Sequence, residues 1–278
     1  MYPLKMEIPM SYDPNVADLK GVSETLLTTL YLRSLETKRQ DGIIKDDHSV
    51  EIVKRINYNF AENNSQFSQA IIAIRTEIID ELVKNFINQN PDATIVNLGT
   101  GLCTRFFRVD NGSINWFCID LPEVKLVWDN LINKSERLHY LSYSALDFNW
   151  MQNVKEIASD KTLIIAEGLL MYFSELEVKQ LFNAIKNNFV KSEIIFDSLG
   201  IFLAQNSRLN SGKLNIDASY KWGIKNLKEI ETWEEGIKLL DQWHYLDKHK
   251  NRLGLMGWLS YIPTIRRQVK IGHFQFNG

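Results

Sequence analysis

Hydrophobic positions in the first 90 residues recur with the spacing of amphipathic helices. Three helices are predicted, one from Ser23 to about Arg39, a short one over 49–58 and a long one over about 68–88. An apolar stripe on the long helix is formed by Ile71, Ile78, Leu82 and Phe86.

From residue 94 the pattern changes to short apolar runs, each followed by a helical segment. The runs predicted to be strands are 94–98, 114–119, 138–143, 162–167, 193–199, 242–246 and 269–276. Ser174 and Glu177 form a capping box before a helix predicted to end near Phe189. This alternation of strands and helices predicts an α/β fold with a doubly wound sheet, which binds ligands at the carboxyl ends of its strands.

Two regions are therefore expected. Residues 1–90 would form an N-terminal arm and a helical cap, and residues 91–278 would form the ligand-binding core. Within the core, the polar stretch 200–235 contains Lys221-Trp222-Gly223 and is predicted to be an inserted loop or lid.

A glycine turn follows the first predicted strand. Gly99-Thr100-Gly101 lies directly after the strand, and Asp120 ends the next strand 21 positions after Gly99. Glycines let a backbone approach a nucleoside closely, and an acid at the next strand tip can accept the ribose hydroxyls. A dinucleotide motif requires a third glycine where this chain has Thr104, so the pattern favours S-adenosylmethionine over NAD. Asp120 as a cap for the following helix is the alternative.

Arg75 lies on the apolar stripe of the long helix, between Ile71 and Ile78. A guanidinium directed at a core is costly unless it meets an anion, and arginine is suited to bidentate carboxylate contacts. Arg75 is therefore predicted either to hold the carboxylate of a bound methionine moiety or to form an internal salt bridge. Arg33 has the same geometry on the first helix.

Other polar residues follow the later strands. Asp147 and Phe148 come after the third strand, where they could meet an adenine, although Asp147 could equally cap a turn. Glu167 lies at the end of the fourth strand, where its carboxylate could face a ligand, and Tyr172 begins the next segment. The alternatives are that Glu167 caps a helix and that Tyr172 is an aromatic residue of the core. The five histidines share no spacing, and no metal site or catalytic triad is predicted.

Composition narrows the class of protein. A net charge of −2 and a pI of about 6.2 argue against a nucleic-acid partner. No signal peptide or membrane-spanning run is recognisable, and the two cysteines, Cys103 and Cys118, lack metal-site spacing, so we expect a cytoplasmic enzyme with reduced thiols.

Three segments together resemble a known family. They are Asn97-Leu-Gly-Thr-Gly-Leu-Cys-Thr-Arg105, Ile119-Asp-Leu-Pro-Glu-Val124 and Ala166-Glu-Gly-Leu-Leu-Met-Tyr172. They resemble the signature segments of the leucine carboxyl methyltransferase family, and most of all its bacterial branch of tetracenomycin polyketide O-methyltransferase-like enzymes. Gly21-Val-Ser-Glu-Thr-Leu-Leu, Arg33 and Ile74-Arg75-Thr76 extend the likeness over nearly the whole chain.

The resemblance implies a Rossmann-like class I methyltransferase fold. That fold has a seven-stranded, mostly parallel sheet with an antiparallel strand near the C-terminus, helices on both faces and a helical N-terminal cap. The resemblance also implies S-adenosylmethionine as methyl donor.

By position, the resemblance assigns a role to each site residue. Arg75, with Arg33 as a second basic contact, would bind the donor's carboxylate, and Gly99, Thr100 and Gly101 would lie against its amino-acid end. Asp120 and Leu121 would border the ribose, Asp147 and Phe148 the adenine, and Glu167 the methionine moiety. Cys103 stands where the family usually has an acid, and the segment around Asp147 is shorter than usual before Trp150.

Together these observations predict a methyltransferase that acts on a small molecule, at a carboxylate or phenol oxygen. The catalytic group is unknown, with Tyr172 as the candidate base if one is needed, and the oligomeric state is not predicted. The alternatives are a protein-carboxyl methyltransferase, a non-catalytic protein that binds S-adenosylmethionine, and a nicotinamide-dependent oxidoreductase. Fold and family alone do not choose the acceptor.

Overall fold

A computed structural model describes residues 25–60, 65–206 and 220–277. The helices are α1 Thr25–Thr37, α2 Asp47–Arg55, α3 Gln66–Gln89, α4 Arg105–Val109, α5 Pro122–Leu131, α6 Trp150–Lys155, α7 Glu175–Asn188, α8 Ile201–Gln205, α9 Leu255–Leu259 and α10 Pro263–Arg266. The strands are β1 Thr94–Leu98, β2 Asn115–Asp120, β3 Leu138–Ser142, β4 Thr162–Ala166, β5 Glu193–Leu199, β6 Ile237–His244 and β7 Val269–Phe276.

The strands form one seven-stranded sheet in the order β3-β2-β1-β4-β5-β7-β6. The first five strands in this order, from β3 to β5, pair in parallel, while β7 pairs antiparallel with both β5 and β6. The predicted mostly parallel sheet with an antiparallel strand near the C-terminus is confirmed. The strand order reverses between β1 and β4, so the loops after these two strands flank the crevice in which such sheets bind ligands.

Hydrophobic cores lie on both faces of the sheet. On one face, α3 packs its buried residues, among them Ile74, Ile78 and Val83, against β1 and its neighbours. On the other face, Leu181 and Phe182 of α7 pack under β4 and β5. Every residue of β1 and of β4 is buried, as a parallel strand covered on both faces requires.

Local signals placed most element boundaries well. The predicted capping box is present, because the Ser174 side chain accepts a hydrogen bond from the Glu177 N–H and Glu177 accepts one from the Ser174 N–H. α2 spans Asp47–Arg55 with Asp46 as its cap, whereas the predicted helix spanned 49–58. The prediction for β6 was wrong at its start, since this strand begins at Ile237 and a 3₁₀ turn takes over at Tyr245.

Part of the predicted lid belongs to the core. Trp222, Leu227 and Ile230 are buried, and a 3₁₀ helix spans Leu227–Thr232, so this part of the stretch 200–235 is packed rather than free. Several predictions lie outside the described residues: the part of the N-terminal arm and cap before residue 25, the start of the first helix at Ser23 and the Gly21-Val-Ser-Glu segment. In the described ranges, the helices are all too short or too polar to span a bilayer.

Candidate active site

The glycine turn after β1 has the conformation that the sequence required. Gly99 and Gly101 have φ values of +60° and +49°, which side chains other than glycine rarely adopt. The Gly99 N–H donates to the Ile119 carbonyl at 2.8 Å, which ties the turn to β2. A Cβ on Gly99 would lie 2.8 Å from Leu169 Cδ1, so the turn also has no room for a side chain.

Asp120 lies at the carboxyl end of β2, directly across from this turn. Its Oδ2 accepts a 2.7 Å hydrogen bond from the Gly101 N–H, and its Oδ1 accepts one of 2.8 Å from the Leu121 N–H. Burial raises the pKa of the Asp120 carboxyl, and the two N–H donors offset part of that rise. Asp120 therefore fixes the glycine turn, and its remaining lone pairs face the crevice.

Arg75 and Glu167 meet where α3 passes the end of β4. Arg75 Nε donates to Glu167 Oε1 at 2.7 Å, and Arg75 Nη1 donates to Asp197 Oδ2 at 3.2 Å. Asp197, on β5, also accepts the Gly168 N–H at 2.6 Å and the Tyr245 hydroxyl at 3.1 Å. The internal salt bridge, one of the two roles that the sequence left open for Arg75, is therefore present.

Glu167 is shared by a second arginine. Arg105 Nη2 donates to Glu167 Oε2 at 2.7 Å, and Arg105 Nε donates to Asp80 Oδ1 at 2.6 Å. Burial opposes ionisation of Glu167, but the charges of Arg105 and Arg75 outweigh it and hold the pKa of its carboxyl well below its usual range. Glu167 is therefore ionised at neutral pH.

The ion pairs continue towards the N-terminal helices. Arg108 bonds Asp80 through Nε at 2.6 Å and approaches Asp46 Oδ2 at 2.9 Å through Nη1. Arg33 Nε donates to the same Asp46 at 3.0 Å, and its Nη2 donates to the Leu102 carbonyl. Four arginines and four carboxylates thus alternate in one chain: Arg33, Asp46, Arg108, Asp80, Arg105, Glu167, Arg75 and Asp197.

A cavity of about 830 Å³ opens along this chain of ion pairs and the glycine turn. It brings together most of the residues that the sequence proposed for the site: Arg33, Arg75, Gly99, Thr100, Gly101, Asp120, Leu121, Glu167 and Tyr172. Apolar and aromatic side chains, including Phe67, Ile71, Leu203 and Tyr220, line much of the remainder. Its volume is near the upper end of the roughly 300–1,000 Å³ usual for a small-molecule site.

Asp147 and Phe148 differ from the other predicted site residues. The cavity is lined at this place by Ser144, Ala145 and Leu146. Asp147 is exposed and its Oδ1 accepts the Asn149 N–H at 3.2 Å, so it caps a turn, which was the alternative from the sequence. Phe148 is partly buried and packs against the hydrophobic core on the face of the sheet that α6 and α7 cover.

Tyr172 lines the cavity in contact with Tyr220. Their ring centroids are 5.4 Å apart, and the two rings are tilted relative to each other. Burial raises the pKa of Tyr172 further above its ordinary value, so its phenol stays protonated at neutral pH. All five histidines belong to the described part of the chain, and the cavity-lining residues include none of them.

Sequence reasoning missed the partners of the arginines. Asp46, Asp80 and Asp197 are buried, with exposed fractions of 1%, 7% and 3%. Arg105 is the last residue of the segment that begins at Asn97 and resembles the family signature, but the sequence did not indicate that it binds Asp80 and Glu167. The only local signal was Asp80, a carboxylate between the apolar Ile79 and Val83 of α3.

Comparison with known proteins identifies the family. The model of the leucine carboxyl methyltransferase family matches residues 26–186. The tetracenomycin polyketide synthesis O-methyltransferase TcmP of Streptomyces glaucescens is 26% identical over 231 residues, covering 82% of this chain and 85% of the relative. The S-adenosyl-L-methionine-dependent methyltransferase dpfgK of Gibberella zeae is 27% identical over 271 residues, covering 89% of this chain and 90% of the relative.

Solved structures support the fold. A DUF574 family protein from Streptomyces avermitilis has a TM-score of 0.59 at 10% identity, with 91% of this chain and 97% of that chain covered. A SAM-dependent methyltransferase from Anabaena variabilis has a TM-score of 0.51 at 10% identity, with 73% and 85% covered. The family match covers more than half of the sequence. This chain belongs to the leucine carboxyl methyltransferase family and is an S-adenosylmethionine-dependent methyltransferase.

Proposed function

We propose that the enzyme methylates a small molecule at an oxygen that ionises easily, a carboxylate or a phenol. The proposal rests on one observation: the three acids that line the cavity already accept hydrogen bonds from the protein. They are Asp120, Glu167 and Glu177. Asp120 accepts hydrogen bonds from two backbone N–H groups, and Glu167 accepts them from two guanidiniums. Glu177 accepts hydrogen bonds from the backbone N–H and the hydroxyl of Ser174. None of these three is poised as a general base, and an acceptor that is already ionised needs none.

The cavity fits the methyl donor at its polar end. We propose that Asp120 accepts the ribose hydroxyls, because its carboxylate lies beside the glycine turn and keeps lone pairs beyond its two N–H bonds. We propose that Ser144, Ala145 and Leu146, which line the cavity, cover the adenine in place of Asp147 and Phe148.

Arg75 and Arg33 are proposed to hold the donor's carboxylate. Arg75 uses Nε and Nη1 for Glu167 and Asp197, and Arg33 uses Nε and Nη2 for Asp46 and the Leu102 carbonyl. Each guanidinium has further N–H groups beyond these bonds. Because the eight-membered chain of ion pairs is balanced in charge, it suits the zwitterionic amino-acid end of the donor, and Glu167 would face the ammonium.

When bound, S-adenosylmethionine supplies a methyl group on a positively charged sulfur. The chain's own contribution would be to orient the acceptor and to exclude water, and orientation alone can be worth roughly 7–11 kcal/mol. Phe67, Ile71 and Leu203 give the remainder of the cavity an apolar lining that suits an aromatic or otherwise hydrophobic acceptor. The similarity to TcmP, a tetracenomycin polyketide synthesis O-methyltransferase, agrees with this class of acceptor.

A protein-carboxyl methyltransferase is the second candidate, favoured by the description of the family itself. Incubation of a lysate with methyl-labelled donor separates the two. Label in the small-molecule fraction supports our proposal, whereas label in macromolecules supports protein methylation. Binding of the donor without turnover in either fraction would indicate a non-catalytic binding protein.

The absence of a base is tested on the histidines. With an acceptor identified by labelling, each histidine is changed singly to alanine and kcat/KM is measured: His48, His139, His244, His249 and His273. Each variant is expected to lose less than about a hundredfold, since a positioned base contributes roughly 10²–10⁴. A thousandfold loss in one variant with intact donor affinity would contradict the proposal.

A further inference from the structure

One cation in the lining of the cavity stands outside the chain of ion pairs. Among the described residues, the cations of the lining are Arg33, Arg75 and Lys221. The two arginines pair with carboxylates, whereas Lys221 has no ion pair and no side-chain hydrogen bond within the described ranges. Its ammonium therefore keeps all three N–H donors for water or for a ligand.

The backbone of Lys221 is fixed, although the residue is exposed. The N–H groups of Lys221 and Trp222 both donate to the Met171 carbonyl, at 2.7 and 3.2 Å. Trp222 is buried, and the centroid of its ring lies 6.4 Å from that of Phe196 and 6.0 Å from that of Trp233. A packed segment thus holds Lys221 at the rim of the cavity, where its ammonium can be reached from solvent.

Lys221 lies on the side of the crevice away from the proposed adenosine site. Its anchor Met171 follows β4, and the Ile224 N–H ties the same segment to the Leu199 carbonyl at the end of β5, at 2.8 Å. Asp120 ends β2, and the residues proposed to cover the adenine follow β3, beyond β1 in the order of the strands. Lys221 is therefore on the acceptor's side of the cavity rather than the adenosine's.

The acid that interacts with Lys221 is already hydrogen-bonded. Glu177 Oε2 accepts the Ser174 N–H at 2.7 Å and the Ser174 hydroxyl at 2.8 Å. These bonds lower the pKa of Glu177, and the charge of Lys221 lowers it further, so the two side chains are within electrostatic reach of each other without forming an ion pair. An incoming anion would therefore not have to break a salt bridge to reach Lys221.

The lining on this side of the cavity is otherwise mostly apolar, with Phe173 after β4 and Leu199 and Leu203 at the end of β5 and in α8. The methylene stem of a lysine can pack along such a surface while its ammonium stays in water. In a mostly apolar pocket, a small number of polar groups fixes the orientation of the ligand. A hydrophobic acceptor with an anionic group at its outer end would match both features.

We infer that Lys221 binds an anionic group of the acceptor, at the end remote from the oxygen that is methylated. The acceptor is then a hydrophobic acid or phenol that carries a further carboxylate or comparable anion. Lys221 determines specificity and takes no part in the transfer of the methyl group, because its ammonium lies at the rim. This inference rests on the proposed function, which supplies the reacting oxygen.

The probes are matched pairs of phenols with two to four fused rings, one member of each pair bearing a carboxylate on the ring farthest from the hydroxyl. Binding to the full chain saturated with S-adenosylhomocysteine is measured by calorimetry, and kcat and KM by transfer of a labelled methyl group. The variants are Lys221→Met and Lys221→Glu. Lys228→Met is the matched control, because Lys228 is an exposed lysine of the following 3₁₀ helix and lies outside the cavity lining that the described residues form.

Wild type is expected to bind the carboxylated member of a pair about two- to fivefold more tightly, the scale of a partly exposed ion pair, and to lose part of this preference at high salt. Lys221→Met should bind both members equally, and Lys221→Glu should prefer the member without the carboxylate. In both variants, kcat for the uncarboxylated phenol and the affinity for S-adenosylhomocysteine should stay as in wild type. Lys228→Met should keep the preference of wild type.

Failure of the inference is distinguishable from failure of the proposed function. A preference for the carboxylated member that Lys221→Met retains would overturn the role of Lys221, and so would equal binding of both members by wild type. Absence of binding for every pair would overturn it as well. Absence of methyl transfer to any bound phenol and to any small molecule of the lysate would instead contradict the proposed function, while the binding preferences would still judge Lys221.

Discussion

Replacing Arg75 by methionine tests the centre of the ion-pair chain. In wild type, Arg75 is the cation of Asp197, whose other described donors, Gly168 N–H and the Tyr245 hydroxyl, are neutral. Glu167 keeps Arg105 when Arg75 is removed. The loss therefore falls mainly on Asp197, whose side chain is 4% exposed.

The expected magnitude follows from that burial. Removing one partner of a buried ion pair costs about 3–5 kcal/mol, since the other charge stays behind without compensation. At about 2 °C per kcal/mol for a chain of this size, the apo variant should melt roughly 6–10 °C below wild type. A lone guanidinium would have given the opposite expectation, an apo protein at least as stable without it.

The effect should depend on pH with a definite sign. Burial already raises the pKa of the Asp197 carboxyl, and loss of Arg75 removes a charge that lowers it. An acid whose pKa is higher in the folded state than in the unfolded state lowers the free energy of unfolding. This cost is fully present at pH values above the folded-state pKa and is absent at pH values below the unfolded-state pKa. The destabilisation of Arg75→Met should thus be larger at pH 8 than at pH 5, and Asp197→Asn in the same background should recover part of it.

The assay is urea unfolding of the apo protein at both pH values, beside calorimetry with S-adenosylhomocysteine. Arg39→Met is the control, because Arg39 pairs with Asp41 at the surface and its loss should leave the stability close to that of wild type. An apo Arg75→Met variant as stable as wild type at pH 8 would refute the reasoning, and would mean that Arg75 serves only a ligand.

Three further predictions concern the glycine turn and Asp46. Asp120→Asn should weaken S-adenosylhomocysteine binding, measured by calorimetry, by about 1–3 kcal/mol. The control Glu123→Gln changes an exposed acid nearby and should leave the affinity unchanged. An Asp120→Asn variant with the affinity of wild type would remove Asp120 from the ribose site. Gly99 has a positive φ, and a Cβ at this position would lie 2.8 Å from Leu169 Cδ1, so Gly99→Ala should destabilise the fold by about 1–3 kcal/mol. The control Gly112→Ala should cost less, because Gly112 also has a positive φ but has open space around it. Melting curves that coincide for the two variants would contradict this prediction. Burial opposes ionisation of Asp46, yet Arg108 and Arg33 lower its pKa from 3.8 to about 2. This group therefore contributes about 2 kcal/mol of stability above pH 4, which is lost as pH falls from about 4 to 2. Asp46→Asn should flatten this part of the acid dependence in urea melts, and an unchanged slope would contradict the pairing.

Much of the fold followed from local rules in the sequence. The bounds of β1, β5 and β7 and the capping box of α7 were predicted residue by residue, because strand periodicity and caps depend on neighbours within a few positions. The glycine turn and Asp120 were likewise recognisable, since a positive φ and a strand-tip acid leave short, ordered signals. The prediction of β6 as the five residues 242–246 failed at the start of the strand, where exposed Lys238, Asp241 and Gln242 hide the pattern.

What only the tertiary structure decided was which charges meet. Arg75 finds Glu167 and Asp197, 92 and 122 positions away, and the sequence carries 34 acids from which periodicity cannot choose. The same holds for Tyr172 and Tyr220, which the return of the chain after α8 brings together. Long-range pairing depends on how strands and helices cross in space, and the low dielectric of the interior then makes each chosen pair matter.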